Sequence, residues 1–111
     1  MKVEIDLHEW IPDLSFQNKA GEAKAYGNEF AMNEGRYPAG KTCCWETVEM
    51  MEKRLIGVLN KYSDYDKILI VTHGMLMHQI KPYGHIPNCF VDSFIYDENF
   101  KCAGFHKKQD D

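Results

Sequence analysis

Apolar side chains recur at Val48, Met51, Leu55, Val58 and Leu59, at steps that draw one stripe down a helix. The spacing predicts a helix over residues 42–62. Thr42 or Thr47 can cap its start, Glu46, Glu49 and Glu52 fall early, and Lys53, Arg54 and Lys61 fall late, the order a helix dipole favours. Other stretches carry the two-residue period of strands. Val3, Ile5 and Leu7 alternate, and Trp10-Ile11-Pro12-Asp13 then breaks the run as a turn. Residues 89–96 alternate as Phe90, Asp92, Phe94 and Tyr96 against Val91, Ser93 and Ile95, and a last strand is expected at 100–105 beyond the turn Asp97-Glu98-Asn99.

Lys67-Ile68-Leu69-Ile70-Val71-Thr72 is nearly continuously apolar, the pattern of a strand buried on both faces of a parallel sheet. Helical spacing resumes over Met75–Ile80 and stops before Pro82. Residues 15–41 are polar and punctuated by Gly21, Gly27, Gly35, Pro38 and Gly40. They read as a long exposed excursion with one or two helical turns over 18–26. The order βα–βα–ββ predicts a single α/β domain over 1–111 with a mixed sheet and flanking helices.

Length and composition agree with one globular domain. The chain has 111 residues, 44% of them hydrophobic and 13% aromatic, enough large apolar side chains to exclude disorder. A net charge of −4 excludes a general nucleic-acid binder, which needs a basic face. The longest apolar run, Ile68–Val71, is far too short to span a membrane, and Met1–Asp6 lacks the apolar core of a signal peptide, so the expected compartment is the cytosol. Cys43, Cys44, Cys89 and Cys102 lack metal-ligand spacing and read as reduced structural residues; no metal or cofactor is expected.

The candidate chemistry lies at Val71-Thr72-His73-Gly74-Met75, where a strand ends, a histidine follows and a glycine opens a helix. Ligands of open α/β sheets bind at such junctions, and helix N-termini favour anions. The local pattern equally suits a core or capping histidine.

The stretch Lys67–Met77 resembles the second-histidine motif of the histidine phosphatase superfamily, the phosphoglycerate mutase-like proteins. Glu46-Thr47 followed by Arg54 resembles that family's E-S/T…R helix, Leu7-His8-Glu9 its L-x-E segment, and Ile86–Val91 the loop leading into its closing strands. The resemblance runs from about Val3 to about Phe105. It implies a phosphoglycerate mutase-like three-layer fold and phosphoryl transfer or phosphomonoester hydrolysis through a phosphohistidine. His73 would bind phosphate with Gly74, and Glu9 would be the proton-donating acid.

The family's opening R-H-G motif and a second arginine are missing, since the only arginines are Arg36 and Arg54 and neither matches. The chain thus resembles the C-terminal half to two-thirds of a family member, an incomplete domain expected to be inactive alone. A non-catalytic dimeric remnant, a weak phospho-ligand binding module and an unrelated small α/β binding domain are the alternatives. The implied partners are a phosphorylated small molecule and a second copy. Without the R-H-G strand the 67–72 strand keeps an unpaired edge, so a homodimer or strand-exchanged assembly is expected.

Overall fold

The computed structural model describes residues 2–17 and 22–104. Among them a 3-10 turn at Ile5–Leu7 precedes three α-helices, α1 (Glu22–Met32), α2 (Val48–Lys61) and α3 (Gly74–Met77). The stripe seen in the sequence is the buried face of α2, where Val48, Met51, Leu55, Val58 and Leu59 all lie inside. Of the two candidate caps, Thr47 serves, its hydroxyl accepting the Met50 N–H at 3.2 Å. The helix starts at Val48 rather than 42 because the preceding backbone is already engaged. Cys44 C=O accepts the Leu14 N–H at 2.7 Å, and the Glu46 N–H donates to Ile11 C=O at 2.9 Å.

Around α2 gather Phe30 from α1, Trp45 from the segment before α2, and Leu76 from α3. Phe30 meets Trp10 and Trp45 at ring-centroid distances of 5.1 and 5.4 Å, and Tyr37 meets Trp45 at 4.9 Å. The tilted and edge-on arrangements are those aromatic quadrupoles prefer. This aromatic box, more than any sheet, ties α1 to the segments carrying Trp10, Tyr37 and Trp45.

The polar excursion is therefore more ordered than its composition suggests. Helix α1 is eleven residues long, and only part of the expected 18–26 turn falls within it; residues 18–21 lie outside the described set. It closes with paired bonds, Gly35 N–H to Phe30 C=O at 2.8 Å and Glu34 N–H to Ala31 C=O at 3.3 Å. That closure puts Glu34 at φ 55° and Gly35 at φ 76°. A side chain on Gly35 would put Cβ 2.1 Å from Val48 Cγ2, so glycine is required there. Glu34 has no such excuse, and a left-handed non-glycine residue costs about 1–2 kcal/mol. Glu34→Gly is accordingly expected to stabilise the chain by about 0.5–1 kcal/mol, part of the relief being offset by a freer unfolded chain. A urea midpoint that rises at unchanged slope would show it, and a fall would contradict the closure described.

The expected α/β fold is not formed. Among the described residues there is no strand, hence neither a mixed sheet nor the three layers of a phosphoglycerate mutase-like domain. The reason at the N-terminus is visible bond by bond. Glu4 and Ile5 carbonyls accept from Leu7 and His8 within the 3-10 turn, Arg54 takes the Asp6 and His8 carbonyls, and Thr72 Oγ1 takes that of Leu7. Acceptors that a β-ladder would use are thus satisfied by side chains and local turns.

Residues 67–72 and 91–96 form no regular element, and no backbone–backbone hydrogen bond reaches either stretch among the described residues. Ile70 in the first segment and Phe94 and Tyr96 in the second still pack on the core. Leu69, Val71, Val91 and Ile95 are open to solvent. The Cα radius of gyration, 14.8 Å, exceeds the roughly 13 Å of a compact chain of this size. Extended segments that lie on the helices without pairing account for a looser body.

Candidate functional site

The segment from Asp6 to Leu14 has no regular ladder, so its position depends on side chains. Arg54, one turn into the buried half of α2, is the centre of that attachment. Its Nε and Nη2 grip Glu46 Oε2 and Oε1 at 2.7 and 3.0 Å, a two-pronged pair whose side chains are only 9% and 5% exposed. Nη1 donates to the carbonyls of Asp6 (2.6 Å) and His8 (2.7 Å), and Nη2 reaches that of Glu9 (3.4 Å). Glu46 in turn accepts the Ile11 N–H, and its carbonyl accepts Trp10 Nε1–H at 2.7 Å. One guanidinium and one carboxylate thus fix the backbone at Asp6, His8, Glu9 and Ile11.

Held this way, Glu9 meets the junction after residues 67–72. Its carboxylate accepts the Met75 N–H, 3.1 Å to Oε1 and 3.3 Å to Oε2, and Oε1 also accepts the Trp10 N–H at 2.9 Å. Thr72 Oγ1 donates to Leu7 C=O at 2.7 Å, a second tie across the same gap. His73 stands at the start of α3 in extended geometry (φ −123°, ψ 163°) with its imidazole exposed and not bonded as a cap. Its carbonyl accepts the Met77 N–H at 2.9 Å. Glu9, distant in sequence, is therefore brought to the short turn that carries His73 and Gly74.

Chemically, this turn presents a carboxylate on the Met75 amide, two residues from the exposed His73. As a carboxylate, Glu9 satisfies the Met75 amide and repels an incoming anion. Once protonated it can donate to an ester oxygen, while imidazolium at His73 attracts the phosphate charge. Neither arginine adds a clamp. Arg54 is consumed by Glu46 and backbone carbonyls, and Arg36 is exposed beside Glu52.

The remaining residues take structural places. His8 Nδ1 donates to Glu9 C=O at 2.6 Å, His78 Nε2 lies 3.2 Å from Gly84 C=O, and His85 is exposed, while His106 lies outside the described residues. Trp45 is fully enclosed with Nε1 on Glu29 at 2.8 Å, and Trp10 lies against Phe30, so both tryptophans are packing anchors. All four cysteines are free. Burial and the neighbouring Glu29 carboxylate push the Cys43 thiol up, and burial pushes Cys102 up to about 11, so neither is a ready nucleophile. A separate surface cluster joins Lys81 Nζ and Tyr83 Oη to Asp92 Oδ2, both at 2.8 Å, and holds Asp92 down at about 2.

The buried Arg54–Glu46 pair was readable as a spacing, yet an interhelical or surface ion pair is the usual meaning of such residues. Nothing in the sequence says that the guanidinium would also serve three carbonyls of another segment. No group of three or more His, Cys, Asp or Glu side chains among the described residues is arranged to hold a metal ion, and no helix among them is long and apolar enough to cross a membrane. No protein-family model matches the chain, and neither a curated protein nor a solved structure is significantly similar to it.

Proposed function

We propose that the chain binds phosphate esters weakly at the turn formed by Glu9, His73 and Gly74, as an acid-and-imidazole half of a histidine phosphatase-type site that does not turn over on its own. One observation carries this reading: the Glu9 carboxylate lies on the Met75 amide, two residues beyond the exposed His73. In the proposed role His73 supplies positive charge and Glu9 supplies a proton donor. Among the described residues no second histidine is placed at the turn to act as nucleophile, and both arginines are engaged elsewhere, so most of the transition-state stabilisation for phosphoryl transfer is missing. The setting we propose is the cytosol, where free thiols stay reduced.

Inorganic phosphate titrated into labelled protein tests the site. The His73 ring and the Gly74 and Met75 amides are expected to shift together, with millimolar affinity. His73→Ala should abolish the response, and Glu9→Gln, which removes the carboxylate's repulsion of the anion, should strengthen binding. p-Nitrophenyl phosphate should not be hydrolysed. Shifts spread over unrelated lysines would sink the binding site, and turnover lost in both His73→Ala and Glu9→Ala would show a working enzyme instead.

A further inference from the structure

Cys43 and Cys44 are adjacent in the chain, and the proposed phosphate site uses neither. Neighbouring side chains alternate along a straight extended segment, so two such thiols ordinarily face away from each other. Here the backbone bends at Cys44 and Trp45, and both thiols turn toward α1. Cys43 lies beside the Glu29 carboxylate and Cys44 beside the Tyr26 hydroxyl. Tyr26 and Glu29 stand three apart on that helix, which makes them neighbours on one face. The two thiols are close enough for the charge of one to bear on the other, and both are half-buried and free.

We propose that a small-molecule disulfide oxidises Cys43 and Cys44 to a reversible vicinal disulfide, a modification site at the junction of α1, the N-terminal segment and the Trp45 aromatic box.

Cys44 is the entry sulfur, because burial and the Glu29 carboxylate keep Cys43 a thiol. The Cys44 thiolate, its proton released to water, attacks one sulfur of the oxidant. The oxidant's S–S bond breaks, and the first leaving thiolate takes up that proton. Cys43 then gives its proton to the Glu29 carboxylate while its sulfur attacks Cys44 Sγ. The mixed disulfide breaks, and the second leaving thiolate takes the proton back from Glu29. The chain has lost two electrons and two protons, and the oxidant has become two thiols. Glu29 suits this part. The Cys43 thiol, the Trp45 indole N–H and Lys41 hold it below the usual carboxylate range, so it is ionised and able to accept.

The adjacency that permits the bond also makes it reversible. Consecutive Cα atoms lie about 3.8 Å apart, short of the roughly 4.4–6.8 Å that a relaxed disulfide spans, so the ring is strained and readily reduced. Closing it draws both sulfurs off their present neighbours. Cys44 Sγ leaves Pro12 C=O, to which it now donates at 3.7 Å. The backbone twists at Cys44, whose carbonyl accepts the Leu14 N–H at 2.7 Å. Oxidation therefore unties residues 12–14 from the segment that carries Trp45, and reduction restores the tie.

The full chain is treated with glutathione disulfide, alkylated and digested with trypsin. The peptide Thr42–Lys53 contains Cys43 and Cys44 and no other cysteine. It should escape alkylation and appear lighter than the dithiol by two hydrogens, and dithiothreitol should restore alkylation at both residues. Cys43→Ser should stop at a stable glutathione adduct on Cys44, whereas Cys44→Ser should react several-fold more slowly. Exchange of the Leu14 amide should speed several-fold in the oxidised chain while α2 stays protected. A wild-type peptide that keeps its glutathione adduct, a disulfide from it to Cys89 or Cys102, a covalent dimer through it, or no reaction would overturn the site. These wild-type masses decide the bond even where a variant fails to fold. Unslowed reaction of Cys44→Ser would overturn the order of attack, and unchanged Leu14 exchange beside a proven vicinal disulfide would overturn the untying.

Discussion

Arg54→Ala is expected to cost about 3–5 kcal/mol, the usual penalty for leaving one member of a buried ion pair uncompensated. Against a typical stability of about 5–15 kcal/mol, that is enough to unfold much of the chain at physiological temperature. The loss has two sources. Glu46 is stranded as a nearly enclosed carboxylate, and the carbonyls of Asp6, His8 and Glu9 lose their donor. Arg54→Lys should recover only part of the loss, since an ammonium cannot grip Glu46 with two prongs and also reach three carbonyls. Adding Glu46→Gln to Arg54→Met removes the stranded charge, so the double variant should be more stable than Arg54→Met alone. Urea unfolding of these variants and of Glu46→Gln alone measures this coupling. A loss below about 1 kcal/mol for Arg54→Ala would mean the pair behaves as an exposed one.

Trp45→Ala is expected to cost about the same, 3–5 kcal/mol, through a different mechanism. The indole is fully enclosed between Phe30 and Tyr37, and its Nε1–H donates to Glu29. Alanine leaves a cavity at the meeting of α1, α2 and the turn carrying Tyr37. Trp45→Phe keeps most of the ring contacts and loses the donor, so its cost should be nearer 1–2 kcal/mol. Near-ultraviolet circular dichroism should flatten in Trp45→Ala even where helicity persists. A well-folded Trp45→Ala protein with an unchanged denaturation midpoint would show that the aromatic box is not what holds α1 in place.

What could be read in advance divides along the range of the interactions. Helix α2 was legible because its period, its Thr47 cap and its charge order are all local, and they agree. Most of α1 was not, since its one deeply buried residue, Phe30, gains its meaning from Trp10 and Trp45, distant in sequence. The strands misled for the same reason. Alternation at Val3–Leu7 and 89–96, and the apolar run at 67–72, show extended propensity, but a sheet exists only when partners pair. Here the N-terminal acceptors are taken by Arg54, Thr72 and the 3-10 turn, so the run at 67–72 finds no neighbour.

The site shows the opposite balance. Glu9, His73 and Gly74 came forward through motif resemblance, and the structure brings the three to one turn. What holds them together, the Arg54–Glu46 clamp, follows from a tertiary approach that no spacing along the chain encodes. The same contrast applies to the open aliphatic row at 67–73. Its hydrophobicity predicted burial, whereas within one chain it remains uncovered.

The most direct test of the account is the Met75 amide. Its N–H is donated to the Glu9 carboxylate at 3.1 Å, so its proton should resonate downfield and exchange slowly. Glu9→Ala should move the Met75 amide upfield and speed its exchange while α2 remains folded. Arg54→Lys should produce part of both changes, because the segment carrying Glu9 loosens. A Met75 amide with the same shift and exchange rate in the wild-type chain and in Glu9→Ala would show that Glu9 does not reach the His73 turn.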